Sequence, residues 1–290
     1  MVTFVLLCLT SRFAYSFNDV WTGRIAREHG RTEVAAFRGV SLGLTMAPLL
    51  AFVHAGALGA LLQRWDRLAL LVVLTAGSNL LLLHSARYLP FGLRAALNVS
   101  AVALGGILLG ATLLGEQLRA SELGWGALVV VSVVFAALGD HSNPELSADV
   151  PKGALLAVGA AALMAVAALL LLGLSRATDP LLAAWAWEFG SGLVLVPVWL
   201  VRHRRSLVAG LWGRFLRVGM AALPTVVGSG ASALALTRGP LGLWGALAGT
   251  QALFTALLGA SRHHEKVGPF RWLCLALCAG GAFGLALAHR

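Results

Sequence analysis

Along the chain, apolar stretches of about twenty residues alternate with short breaks that carry charge, proline or glycine. A helix rises about 1.5 Å per residue, so roughly 20 residues cross a hydrocarbon core about 30 Å thick. The pattern predicts helical spans at 3–22, 34–54, 67–86, 91–113, 122–139, 153–174, 180–201, 216–236, 241–259 and 269–288, the fifth a short one. The longest polar linker, DHSNPELSAD at 140–149, falls between the fifth and sixth. Strict alternation of apolar and polar residues is absent, which excludes a lipid-facing β-barrel. No stretch is left over for a soluble domain.

A repeat organises these spans. PFGLRAAL at 90–97 recurs as PLGLWGAL at 240–247, with Pro90 over Pro240, Gly92 over Gly242 and Leu93 over Leu243. The same offset of 150 aligns Ala36 with Ala186, Ser41 with Ser191 and Thr75 with Thr225. Each unit holds five spans, and an odd number returns the second copy to the membrane upside down. The fold expected is therefore all-α and integral to the membrane, ten transmembrane helices in two inverted five-helix repeats, 1–139 and 151–290. Inverted repeats are a construction plan of secondary transporters.

Composition supports the membrane reading: 59 % of the 290 residues are apolar, 12 % are charged, and the mean hydropathy is +0.84. The first residues, FVLLCLT, follow no Lys or Arg, so they read as the first span rather than a cleaved signal. A net charge of +10 would suggest nucleic acid in a soluble protein. Here the basic residues lie mostly in loops, where they set topology and meet lipid head groups, so no nucleic-acid partner is expected. Cys8, Cys274 and Cys278 lie within spans without His or carboxylate partners and read as packing residues. No P-loop and no metal-ligand motif occurs, and no cofactor is expected.

LLGEQLRASELGWGALVVVSVV at 113–134 joins an apolar helix ending in Leu114-Gly115-Glu116 to a Gly-bearing helix beginning near Gly124. With Arg38 early in the second span and the two five-span halves, the chain resembles the drug/metabolite transporter superfamily, in particular its EamA-type members. The corresponding turn of the second half, GASRHHEKVGP, departs from the pattern, with Glu265 one position out of register with Glu116. The resemblance implies an exporter of small metabolites or amphiphilic compounds in the plasma (inner) membrane. It also implies both termini in the cytoplasm. Lys and Arg near span ends number six on the termini side and thirteen on the other, which the positive-inside rule reads the opposite way. Orientation stays open between the two.

Ionisable residues inside a span are costly and usually face the bundle interior or a watery cavity. Arg12, Asp19, Arg38 and Glu188 are such residues, and Arg12, Ser16 and Asp19 share one helix face with Tyr15 and Asn18 beside it. From the helical rise, Asp19 and Arg38 lie at similar depth, about 5 and 6 Å from one surface, and Arg12 and Glu188 at about 14 and 12 Å from the other. That allows two pairings, Asp19 with Arg38 and Arg12 with Glu188. The polar stripe reads either as a substrate path or as static ion pairs between helices. Asn79, Asn98 and Gln251 complete the set of candidate substrate residues, with interhelical hydrogen bonding as the plainer role. Arg94, near a span end, is expected to snorkel to the surface. Glu116 and Glu265 read as turn residues, and His54 and His84 as locally satisfied. Trp185, Trp187, Trp199, Trp212 and Trp272 read as interfacial anchors, with Trp244 near a span end too.

The pairs Gly39/Gly43, Gly106/Gly110, Gly245/Gly249 and Gly280/Gly284 allow close helix packing, expected inside each half with slippage between halves. An intramembrane enzyme would need a nucleophile with a base or paired aspartates. Ser191 and Ser229 have no membrane-depth His following closely, and Asp19 is the sole aspartate within a span. The chain is thus expected to be no enzyme but a secondary transporter, a monomer or homodimer acting on a small-molecule substrate in the lipid bilayer, with protons as candidate coupling ion. A non-transporting membrane scaffold or receptor is the alternative.

Overall fold

The structure, a computed structural model, describes residues 2–89, 91–117, 119–138, 149–202, 210–263 and 268–288. The linker at 140–148, Glu265 and most of the basic stretch at 202–209 lie outside them. The described residues form helices and their connections, with no strand among them. In chain order the helices are α1 (Val2–Glu28), α2 (Arg31–Met46, continued by a 3-10 turn at Ala47–Phe52), α3 (Ala55–Leu62), α4 (Trp65–Ser85) and α5 (Phe91–Leu113). They continue with α6 (Ala120–Leu138), α7 (Val150–Ala177), α8 (Pro180–Arg202), α9 (Leu211–Ala222) and α10 (Pro224–Leu236). The last are α11 (Leu241–Ala248), α12 (Thr250–His263) and α13 (Pro269–Ala288).

Local chemistry explains where these helices start and stop. Proline opens α8, α10 and α13, where a missing N–H costs nothing. Asp179 caps α8, its Oδ1 accepting from the N–H groups of Leu181 (2.8 Å) and Leu182 (3.2 Å). Glu122 reaches back to the N–H of Arg119 at 2.7 Å, the carboxylate half of a capping box at the start of α6. At the end of α5, Gly115 adopts φ +65°, a left-handed conformation that favours glycine. The N–H of Glu116 then folds back on the Gly110 carbonyl at 3.0 Å.

Among the described residues, six segments are long and apolar enough to cross a membrane: Arg31–Phe52, Trp65–Ser85, Leu93–Leu113, Val150–Ala177, Pro180–Val201 and Leu241–Ser261. The pair α9 and α10, bent by 45° at Leu223–Pro224, makes a seventh. Helices α1, α6 and α13 have 27, 19 and 20 residues. The structure differs from the ten uniform spans expected in three places. The expected span at 216–236 is broken at Pro224, because proline forfeits a helical hydrogen bond. The expected span at 241–259 is interrupted at Gly249. The short helix α3, within the expected second loop, was not foreseen.

Polar and apolar residues are distributed inside out compared with a water-soluble protein. Leu6, Phe52, Leu108 and Leu155 are exposed on the outside, whereas Ser16, Arg38, Arg94 and Glu188 are buried. Such an exterior matches hydrocarbon, and the chain is a multi-pass membrane protein. Helix α2 packs on α8, α4 on α7, α6 on α13, and α5 on α11 and α7, while α1 packs on α10 and α12.

Two of these crossings are backbone to backbone. A Cβ on Gly39 would stand 2.4 Å from the Gly192 Cα, and one on Gly106 would stand 3.1 Å from the Gly245 Cα. Gly249 likewise meets Val129, and Gly284 meets Trp125. These glycine contacts join residues of 1–139 to residues of 151–290. The expectation of close glycine packing inside each half is corrected accordingly: the helices that approach most closely, α2 with α8 and α5 with α11, come from different halves.

Candidate functional site

A cavity of about 870 Å³, counting its open mouth, lies among α1, α2, α4, α5, α7, α8, α10, α11 and α12. The polar stripe of α1 supplies one wall with Arg12, Tyr15, Asn18, Asp19 and Thr22, residues whose spacing places them along one side of a helix. Arg38 comes from α2, Asn79 from α4, Arg94 and Asn98 from α5, Glu188 from α8 and Gln251 from α12. Leu82, Leu83, Val99, Val102 and Met164 make the rest of the wall apolar. All eight residues singled out from the sequence, Arg12, Tyr15, Asp19, Arg38, Asn79, Asn98, Glu188 and Gln251, line this one cavity.

Their pairing differs from the expectation. Glu188, fully buried, accepts from Arg38 Nη1 at 3.0 Å and Nη2 at 3.3 Å. Arg38 Nε donates to Asn18 Oδ1 at 3.1 Å. Ser229 Oγ donates to Glu188 Oε1 at 2.5 Å, so the 2.9 Å contact between Tyr15 and Ser229 is donated by the tyrosine hydroxyl. The result is a continuous chain, Asn18–Arg38–Glu188–Ser229–Tyr15, across four helices. Neither expected pair, Asp19 with Arg38 or Arg12 with Glu188, forms. The depth estimates took the first span to end at 22 and the second to start at 34, whereas α1 runs to Glu28 and α2 starts at Arg31. Depth also says nothing about which helices are lateral neighbours, and α2 lies against α8.

Asp19 Oδ2 accepts from Gln251 Nε2 at 2.7 Å, and Arg94 Nη2 donates to the Asp19 carbonyl at 3.0 Å. Arg94 is therefore no surface residue. It is 2 % exposed, and the expected snorkelling does not occur. A guanidinium that meets a carbonyl and a polar cavity within the bundle need not reach the head groups. Arg12, 6 % exposed, stacks over Trp244 with its guanidinium carbon 4.2 Å from the ring centroid. It makes no ion pair among the described residues. Trp244 is held in turn by Nε1 donating to Ser232 Oγ at 3.1 Å.

Tryptophans read as interfacial anchors divide into two groups. Trp212 and Trp272 are exposed, but Trp187, Trp199 and Trp244 are 5 %, 5 % and 3 % exposed. Trp187 and Trp244 line the cavity, and Trp199 Nε1 donates to Glu33 at 3.1 Å. Trp185 donates to the Gly43 carbonyl at 2.9 Å. Their place near span ends in the sequence misled, because the indole N–H groups of Trp185, Trp199 and Trp244 meet partners inside the bundle. Glu33, buried in the first turn of α2, also binds Arg214 Nε at 2.7 Å.

Glu116 does organise a helix end, and that end belongs to another helix. Its two oxygens accept from the N–H groups of Leu241 (2.6 Å) and Gly242 (2.9 Å), capping α11. A carboxylate at a helix N-terminus is favoured by the unpaired N–H groups and the helix dipole. The Leu114-Gly115-Glu116 motif thus has a geometric reason: Gly115 reverses the chain so that Glu116 faces α11.

Residues 151–287 match the EamA-like transporter family. An EamA-like domain is thus recognised over residues 151–287. That family is one of membrane transporters of small solutes. A crystal structure of a protein 16 % identical superposes on this chain with a TM-score of 0.78, covering 99 % of this chain and 97 % of the other. At that identity the likeness shows the fold alone. No curated protein sequence matches the chain.

Within this bundle, sequence reasoning missed Ser229, Trp187, Ser232 and Trp244 as cavity or network residues. Ser229 carried a usable signal, a Gly-Ser-Gly context that leaves a small polar side chain between two surfaces free of Cβ atoms. Gly228 contacts Ala14 and Tyr15 of α1. His84 is satisfied within its own helix by the Leu80 carbonyl at 2.7 Å. Cys8, Cys274 and Cys278 are buried free thiols.

Proposed function

We propose that the chain is a secondary transporter, working as an exporter of small metabolites or amphiphilic compounds in the plasma (inner) membrane by alternating access, with the cavity as its substrate site. The observation that carries this reading is a charged cavity lined from both sides of the 140–149 linker. A transporter needs such a space and a scaffold does not.

The underlying architecture we propose is ten spans in two inverted repeats, 1–139 and 151–290. The helix pairings support it. Counting α9 with α10 and α11 with α12 as single spans, exchanging each span for the one five places on turns the main contacts into one another. The α1–α10 contact becomes α7–α4, the α1–α12 contact becomes α7–α5, and α2–α8 and α6–α13 map onto themselves. Arg38 and Glu188, 150 residues apart, occupy equivalent positions and bind each other. Ser41 and Ser191 likewise each donate to the carbonyl three residues back at 2.9 Å. In this scheme the halves rock about the fixed site, with protons as the coupling ion and a monomer or homodimer as the working unit.

Purified protein in liposomes, loaded with a panel of amino acids, nucleobases, organic acids and cationic drugs, tests the proposal. Saturable counterflow of at least one class, altered by an imposed pH gradient, is expected. No flux above protein-free liposomes for any class would remove it.

A further inference from the structure

Among the residues that line the cavity, Arg12 has hydrogen-bonding capacity left unused. Its Nε and Nη2 are buried and have no partner among the described residues, while Nη1 is not among the unpaired atoms. These two nitrogens share one edge of the guanidinium. Their N–H bonds run parallel at the spacing of two carboxylate oxygens, the geometry of the bidentate arginine–carboxylate fork. Stacking on Trp244 fixes the plane of the fork.

Three independent features agree with an anionic occupant. The ionisable side chains lining the cavity include three arginines, Arg12, Arg38 and Arg94, against two carboxylates, Asp19 and Glu188. Glu188 is already engaged by Arg38 and Ser229, and Asp19 by Gln251, so neither is offered to Arg12. Trp187 Nε1, also buried on the cavity wall, is a second unpartnered donor. A buried guanidinium without a contact ion pair is costly, and an anion that enters the cavity lowers that cost.

We propose that Arg12 is the recognition site for the carboxylate of the transported solute, which makes the substrate class a small monocarboxylate with an apolar body. The body lies against Leu82, Leu83, Val99 and Met164. This rests on the transport reading above for the word "transported", but the binding site stands on the geometry alone.

The test uses the purified full chain and three probes of one shape: benzoate, its neutral isostere benzamide and the cation benzylamine, with binding read by calorimetry. Wild-type protein should bind benzoate about tenfold or more tighter than benzamide, the effect of two charge-assisted hydrogen bonds. Arg12→Gln should abolish that preference, and Arg12→Lys, which keeps the charge but loses the fork, should retain only part of it. Without ligand, Arg12→Gln should unfold at or above the wild-type temperature, because it deletes an unpaired buried charge. A structural ion-pair role would move it down. Phenylphosphonate binding tighter than benzoate would overturn the carboxylate assignment. Absence of saturable benzoate binding at millimolar concentration, or a benzoate preference surviving Arg12→Gln, would overturn the site. Liposome flux separates the two proposals. Solute movement indifferent to Arg12 leaves transport standing and removes this inference, whereas Arg12-dependent binding without flux does the reverse.

Discussion

Arg38 and Glu188 hold each other at 3.0 and 3.3 Å in the bundle interior, where Asn18 and Ser229 take up remaining hydrogen-bonding capacity. Removing one partner of such a pair leaves a bare buried charge and costs about 3–5 kcal/mol, whereas replacing both by apolar groups can be nearly neutral. Arg38→Met and Glu188→Met should each lower the unfolding temperature in detergent strongly, and the double variant should recover most of the loss. Equal losses that add in the double variant would rule out direct coupling. Along the same network, Ser229→Ala removes a hydrogen bond to a charged group, worth about 1.5–3 kcal/mol, and Tyr15→Phe a neutral one worth about 1 kcal/mol. The same unfolding measurement should rank Ser229→Ala below Tyr15→Phe.

Helix ends and helix crossings carry the next level of organisation. Glu116 caps α11 from the far end of α5, so Glu116→Ala should destabilise by about 1–2 kcal/mol, and Glu116→Gln, which keeps one acceptor, by less. Amide exchange at Leu241 and Gly242 would locate the effect: protection should fall there first in both variants. At the α2–α8 crossing, Gly39→Ala forces a Cβ to within 2.4 Å of the Gly192 Cα. The overpacking cost is about 1–3 kcal/mol. Gly59→Ala in α3, with open space around its Cβ, should instead stabilise by about 0.4–1 kcal/mol through the unfolded chain. Opposite signs for two Gly→Ala changes, read by unfolding temperature, distinguish a close approach from a merely helical glycine.

For the molecule as a whole, the proposed ten spans place both termini on one side of the membrane and Gly210 on the other. Reporter tags at residue 1 and residue 290 in intact cells should give the same accessibility, and a tag near 210 the opposite one. Unlike results at the two ends would break the ten-span reading whichever way the bundle faces. The bend at Leu223–Pro224 belongs to this scale too. It lets α10 lie along α1 and brings Ser229 to Glu188, so a straight helix through 211–236 would leave that carboxylate short of a donor.

The sequence by itself determined the all-helical membrane character, the placement of most helices and eight of the residues that line the cavity. Apolar stretches report burial in lipid directly, and a polar residue within one must turn inward whatever its neighbours are. The apolar spans also singled out Arg12, Asp19, Arg38 and Glu188 as ionisable groups within them. Only the tertiary structure decided which of them touch, that Arg94 and Trp244 belong to the cavity, and that Glu116 serves a helix in the other half. Depth is one coordinate of three. Rotation about each axis and the choice of lateral neighbour depend on backbone crossings such as Gly39 on Gly192 and Gly106 on Gly245. Those crossings join residues 139 or more positions apart, beyond the reach of any local pattern in the chain.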